Sequence, residues 1–190
     1  VLPQYGSGSF AELPQTVRHL LTGQGEGGLP HETLGALDRR WKKVALFFID
    51  AFGWRFCQSR LQHYPFLRRF AQQGIAQKIT AQFPSTTAAH VTCIHTGLTP
   101  IQSGVYEWQY YEPRVDRIIM PLLFSPVGTR LRNALEDVEP EEILPTQTIY
   151  RDLEEAGIRS CAFQPALHLV SPYARLTYDG AEVVPYRTLA

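Results

Sequence analysis

Hydrophobic and polar positions change their pattern near residue 43. Before it, Pro3, Gly6, Gly8, Pro14, Gly23, Gly25, Gly27, Gly28 and Pro30 interrupt every apolar run. Residues 1–42 are therefore expected to be an irregular extension with one helix, Gln15–Leu21. From Lys43 onward strand and helix signals alternate. Val44–Ile49 is continuously apolar, as in a strand covered on both faces. Cys57–Gln73 has helical spacing, broken near Pro65 and closed by Gly74. Ile75–Gln82 alternates like a second strand. A helix over Thr87–Thr96 stacks Val91 and Ile94, with Leu98 just beyond, and Gly97 ends it. Arg117–Phe124 reads as an edge strand because of Pro121. Thr146–Ala156 reads as an amphipathic helix closed by Gly157, and Ile158–Phe163 as a further strand. Asp179-Gly180, between Leu176–Tyr178 and Ala181–Val184, is a hairpin signal. The alternation predicts an α/β fold, a mostly parallel sheet flanked by helices, over residues 43–190.

Composition narrows the function. Eighteen basic and eighteen acidic side chains cancel in 190 residues, so the basic footprint of a general nucleic-acid binder is missing. No apolar run has the length of a membrane span. Cys57, Cys93 and Cys161 are few, odd in number and far apart. They are expected to be small buried hydrophobes, and their sparseness favours a reducing, cytoplasmic setting. The chain starts at Val1 and stops at Ala190 without punctuation, so both ends are expected to be cut. Gly23–Gly28 formally satisfies G-x-G-x-x-G. No strand precedes it and Leu29-Pro30 follows where a helix should open, so it is read as a loop.

Two places carry candidate chemistry. Asp50 ends the apolar run, where a buried carboxylate needs compensation from a cation or from capping the turn at Ala51-Phe52-Gly53. Open α/β sheets bind ligands beyond the carboxyl ends of their strands. The second place is Phe83-Pro-Ser-Thr-Thr-Ala-Ala-His90. Pro84 holds Phe83 extended, Ser85 or Thr86 is the N-cap, and a hydroxyl on the first turn lies beside unpaired amide N–H groups. Such a site suits anions, and a threonine there becomes nucleophilic when a metal stabilises its alkoxide.

Taken together, Asp50, Phe83-Pro-Ser-Thr-Thr87, Thr96-Gly-Leu-Thr-Pro100 and Ser103-Gly-Val105 resemble the type I phosphodiesterase/nucleotide pyrophosphatase branch of the alkaline phosphatase superfamily. The resemblance implies an alkaline phosphatase-like core, here its N-terminal part. It implies that Asp50 binds one of two zinc ions. Thr87, ten residues before Gly97, becomes both nucleophile and metal ligand. Hydrolysis would pass through a phospho-threonine, with small phosphate esters or nucleotides as substrates. Family members carry a phosphate-contacting Asn three residues after the nucleophile. His90 stands there, so an imidazole donor to phosphate is expected.

The family's other zinc ligands form an Asp-x-x-x-His, an Asp-His pair and a distant His. No Asp of this chain has a His four residues on, and no Asp-His pair occurs. Those ligands are expected beyond Ala190, which leaves half a metal site here. A phosphomonoesterase or phosphotransferase on the same scaffold is an alternative, as is a non-catalytic binding domain.

Other features are weaker. His90 and Cys93 share a helix face but are expected to be structural, and His168 to be a packed loop histidine. Tyr106-Glu-Trp-Gln-Tyr-Tyr111 is either an aromatic wall for a nucleobase or aryl ester or ordinary core. Arg68-Arg69 and Arg39–Lys43 read as solvated charge. No sulfatase C/S-x-P-x-R, no G-x-S-x-G elbow and no phosphate loop ending in Gly-Lys-Ser/Thr is present.

Overall fold

The structure is a computed structural model describing residues 2–25, 28–129, 135 and 138–188. In chain order the helices are α1 (Leu13–Thr22), α2 (His31–Leu34), α3 (Trp54–Arg60), α4 (Pro65–Gln73), α5 (Thr87–Thr96), α6 (Pro100–Ser103), α7 (Pro140–Ile143), α8 (Ile149–Glu155) and α9 (Pro172–Thr177). The strands are β1 (Tyr110–Glu112), β2 (Arg117–Met120), β3 (Ser125–Pro126), β4 (Ser160–Pro165) and β5 (Ala181–Tyr186).

Helix and sheet are mixed, as an α/β chain requires, but a mostly parallel sheet is not what the described residues form. β1, β2 and β3 make an antiparallel meander, with Tyr110 opposite Ile119 and Met120 opposite Ser125. β4 and β5 pair in parallel, Ser160 opposite Ala181 through Pro165 opposite Tyr186, with α9 between them in sequence. Of the strand expected over Ile75–Gln82, only an isolated bridge from Thr80 to Ser9 is present. Val44–Ile49 forms no strand among the described residues. A parallel strand is held by hydrogen bonds from its neighbours, and no described residue supplies them here. The expected 117–124 strand ends at Met120, where Pro121 begins a turn.

The hairpin expected at Asp179-Gly180 is also corrected. Ser171 caps α9 through its hydroxyl and Pro172 occupies the first turn, so residues 172–177 are helical rather than extended. Asp179-Gly180 joins that helix to β5, with Gly180 at φ +89°.

Before residue 43 the expected helix is present within α1, with further short ordered turns around it. Ser9 and Glu12 form a capping box whose Glu12 carboxylate is buried, accepting from the Ser9 and Gly6 amides. α1 follows, stops at Gly23 in the left-handed region, and packs on α5. Of the Gly23–Gly28 loop, residues 26 and 27 lie outside the described residues. The helical stretch at 57–73 breaks where expected, because Pro65 opens α4 and holds Tyr64 extended.

α5 is the centre of the molecule. All its residues except Thr87 and Val91 are buried. Small side chains (Ala88, Ala89, Cys93) let neighbours approach, and its polar ones are paired internally. Thr92 meets the Tyr173 hydroxyl at 2.9 Å, and His95 Nδ1 meets that of Tyr150 at 2.7 Å. The main core joins Ala88 to Val105, Tyr110, Ile119, Phe124, Ile143, Leu144, Tyr173 and Leu176.

Candidate active site

The site is the first turn of α5. Thr86, in extended geometry, is its N-cap: the side-chain oxygen accepts from the Ala89 amide at 3.3 Å. The Thr86 carbonyl accepts the His90 amide at 3.1 Å. The Thr87 and Ala88 amides have no hydrogen-bond partner among the described residues, as the geometry of a helix start dictates. They lie beside the Thr87 hydroxyl at the positive end of a ten-residue helix.

The structure brings Asp50 to this turn. Thr87 Oγ1 donates to the Asp50 carboxylate, 3.2 Å from each of its oxygens. Asp50 Oδ1 also accepts from its neighbour Ala51 N–H at 2.9 Å, and Ala51 takes a left-handed φ of +56°. Asp50 is exposed rather than buried; its carboxylate caps the turn, one of the two roles expected for it, and also faces Thr87.

His90 is held differently from the sequence expectation. Its Nδ1 lies 2.7 Å from the Thr86 carbonyl, and its Nε2 accepts the Gln82 amide at 3.3 Å. With those partners Nδ1 donates and Nε2 accepts. The ring packs edge-on against Phe10, 4.5 Å between centroids. With both nitrogens bound to backbone, His90 has no donor left for a phosphate in this arrangement. Burial pushes the Cys93 thiol up to about 12, as for a small side chain packed in the core. Cys57 is half-buried and Cys161 exposed, so only Cys93 fits the expectation of a buried small residue; none forms a disulfide. His168 is exposed on a 3-10 turn rather than packed.

The residues fit a divalent cation only in part. Two oxygens on one tetrahedral zinc, each at about 2.1 Å, stand roughly 3.4 Å apart. The 3.2 Å separation of Thr87 Oγ1 from the Asp50 oxygens is close to that. Yet no group of three or more His, Cys, Asp or Glu able to hold a metal occurs among the described residues. Asp50 and Thr87 offer two oxygens, and a tetrahedral zinc needs at least one more protein ligand.

Comparison with known proteins falls on this region. A family model described as type I phosphodiesterase / nucleotide pyrophosphatase matches residues 44–177. The chain belongs to that family. The match contains both Asp50 and Thr87 and covers most of the 190 residues. Family membership places the chain among hydrolases of phosphoric esters. No curated protein and no solved structure gives a significant match. Among the described residues no helix is long and apolar enough to cross a membrane.

Two contributors were missed at the level of sequence. Thr86 Oγ1 donates to the Tyr106 carbonyl at 2.9 Å, twenty residues away, which no local pattern announces. The Ser9–Glu12 turn, which carries Phe10 onto His90, was readable as S-x-x-E.

Proposed function

We propose that this type I phosphodiesterase / nucleotide pyrophosphatase hydrolyses phosphoric esters with Thr87 as nucleophile and Asp50 as its partner. The observation that carries the reading is the pair of 3.2 Å contacts between the Thr87 hydroxyl oxygen and the Asp50 carboxylate. They occur at a helix start whose first two amides have no partner among the described residues. In the proposed reaction the Thr87 oxygen bonds to phosphorus and the ester oxygen departs with its electron pair. The Asp50 carboxylate receives the hydroxyl proton. Charge gathering on the phosphoryl oxygens is met by the Thr87 and Ala88 N–H groups and the helix dipole. The Asp50 proton passes to the departing ester oxygen; water then attacks phosphorus, the bond from Thr87 to phosphorus breaks, and a proton from that water restores the Thr87 hydroxyl as phosphate leaves.

A zinc ion, or a pair, is the cofactor we propose, with Asp50 and Thr87 among its ligands and the others outside the described residues. Bound there it would acidify the hydroxyl and neutralise phosphoryl charge. His90 is assigned to holding the turn between Gln82 and Thr86 rather than to phosphate, because its two ring nitrogens are engaged.

The test is Thr87→Ala in the complete, zinc-supplied protein, assayed on bis(4-nitrophenyl) phosphate. Turnover should fall by about a thousandfold or more. Unchanged turnover would remove Thr87 from the chemistry. Zinc content and turnover both independent of Asp50 and Thr87 would favour a binding domain.

A further inference from the structure

The aromatic segment Tyr106–Tyr111 is tied to the candidate site at its start and to β1 at its far end. At its start the Thr86 hydroxyl donates to the Tyr106 carbonyl at 2.9 Å. That same oxygen accepts the Ala89 amide, so one hydroxyl serves both the helix cap and the segment. At its far end Tyr110 enters β1, is buried, and stacks on Tyr106 with 4.6 Å between ring centroids and 23° between planes. Between these anchors Tyr106 and Trp108 stay exposed, at 41% and 50%. Large aromatic side chains left open on a backbone that is hydrogen-bonded to the residue before the candidate nucleophile suit a flat apolar ligand group.

We propose that Thr86 is a positioning residue, fastening the Tyr106–Tyr111 segment to the turn that presents Thr87. An aromatic ester group held by Tyr106 and Trp108 is thereby placed in register with the Thr87 oxygen. This rests on the assignment of Thr87 as nucleophile and narrows the substrate to phosphoric esters carrying an aryl or nucleobase ring. Thr86 itself touches no reacting atom. Its part is to stop the aromatic wall from moving relative to the first turn of α5.

The test is backbone hydrogen exchange over residues 106–111, with and without phenylphosphonate, an uncleavable aryl anion. Methylphosphonate is the ringless control, and zinc is present throughout. The proteins are the parent, Thr86→Ser, which keeps the hydroxyl, and Thr86→Gly, which caps a helix nearly as well but cannot bond to Tyr106. At ten times its Kd, phenylphosphonate should slow exchange about tenfold in the parent and in Thr86→Ser. Thr86→Gly should lose that protection while its α5 amides stay slow. Should Thr86→Gly not fold, Thr86→Val, which keeps the side-chain shape, takes its place. No protection of the parent, equal protection by methylphosphonate, or full protection in the variant lacking the hydroxyl overturns the proposal. These readings do not use turnover, so failure of Thr87 as nucleophile shows separately, in the Thr87→Ala assay.

Discussion

His95 Nδ1 and the Tyr150 hydroxyl lie 2.7 Å apart, a contact that ties the last turn of α5 to α8. Tyr178 closes the other side, its ring 4.4 Å from the imidazole in an edge-to-face arrangement. Among the described residues no charge accompanies His95 there. Burial alone lowers its pKa from 6.5 to about 4.

This depressed value sets a pH window for stability. The folded form binds the His95 proton less readily than the unfolded chain does. The protein therefore holds its full stability above about pH 6.5 and loses it as pH falls toward 4. The loss attributable to this one group is roughly 3 kcal/mol. Asp38 and Asp179, held below the usual carboxylate range by hydrogen bonds to His31 and to Arg151 respectively, act at lower pH. Thermal melts between pH 4 and 7 should drop steeply for the parent and flatten for His95→Gln. A variant whose melts keep the parent's slope would place the acid sensitivity elsewhere.

Gly180 and Gly157 make a matched pair for backbone strain. Both have positive φ, +89° and +75°. A Cβ on Gly180 would stand 2.8 Å from the Arg151 amide nitrogen and 2.9 Å from the Tyr150 carbonyl carbon, whereas nothing lies within 4 Å at Gly157. Gly157→Ala should cost about 1 kcal/mol through conformation alone. Gly180→Ala adds a backbone collision beneath the Arg151–Asp179 ion pair and should cost roughly 2 kcal/mol or more. Denaturant melts of the two variants check the order.

The two outcomes of sequence reading differ for a physical reason. α5 was legible because its end signals are local: a hydroxyl N-cap and Gly97 in the left-handed region at its close. The break at Pro65 was legible likewise. Val44–Ile49 has a strand's composition, but a strand exists only with a hydrogen-bonding neighbour, and that information is not in the segment. At Asp179-Gly180 a short turn signal was weighed above the Ser171-Pro172 helix start eight residues earlier. In the site, the family pattern drew attention to Asp50 and Thr87, but the 3.2 Å contact between them is tertiary. Thr86 was open as a cap alongside Ser85, while its bond to Tyr106 crosses twenty residues.

The unpaired segment before Asp50 leaves apolar side chains in water. Phe47 is 82% exposed, and Leu46 and Ile49 are also exposed. Exposed apolar segments of this kind pair with other chains. The 190-residue chain should bind anilinonaphthalene sulfonate and sediment with concentration-dependent mass. Phe47→Lys should reduce both while changing stability by less than about 0.5 kcal/mol. A monodisperse parent with no dye binding would mean that this segment is covered in solution.

The central claim is that the Thr87 oxygen attacks phosphorus beside the Asp50 carboxylate. Acid-quenched mass spectrometry of the complete, zinc-supplied protein mixed with bis(4-nitrophenyl) phosphate tests it most directly. The account predicts one 4-nitrophenyl phosphoryl group on the peptide containing Thr87, assigned to Thr87 by fragmentation, strongly reduced in Asp50→Asn and absent in Thr87→Ala. Modification at another residue, or turnover of the diester that survives Thr87→Ala, would contradict it.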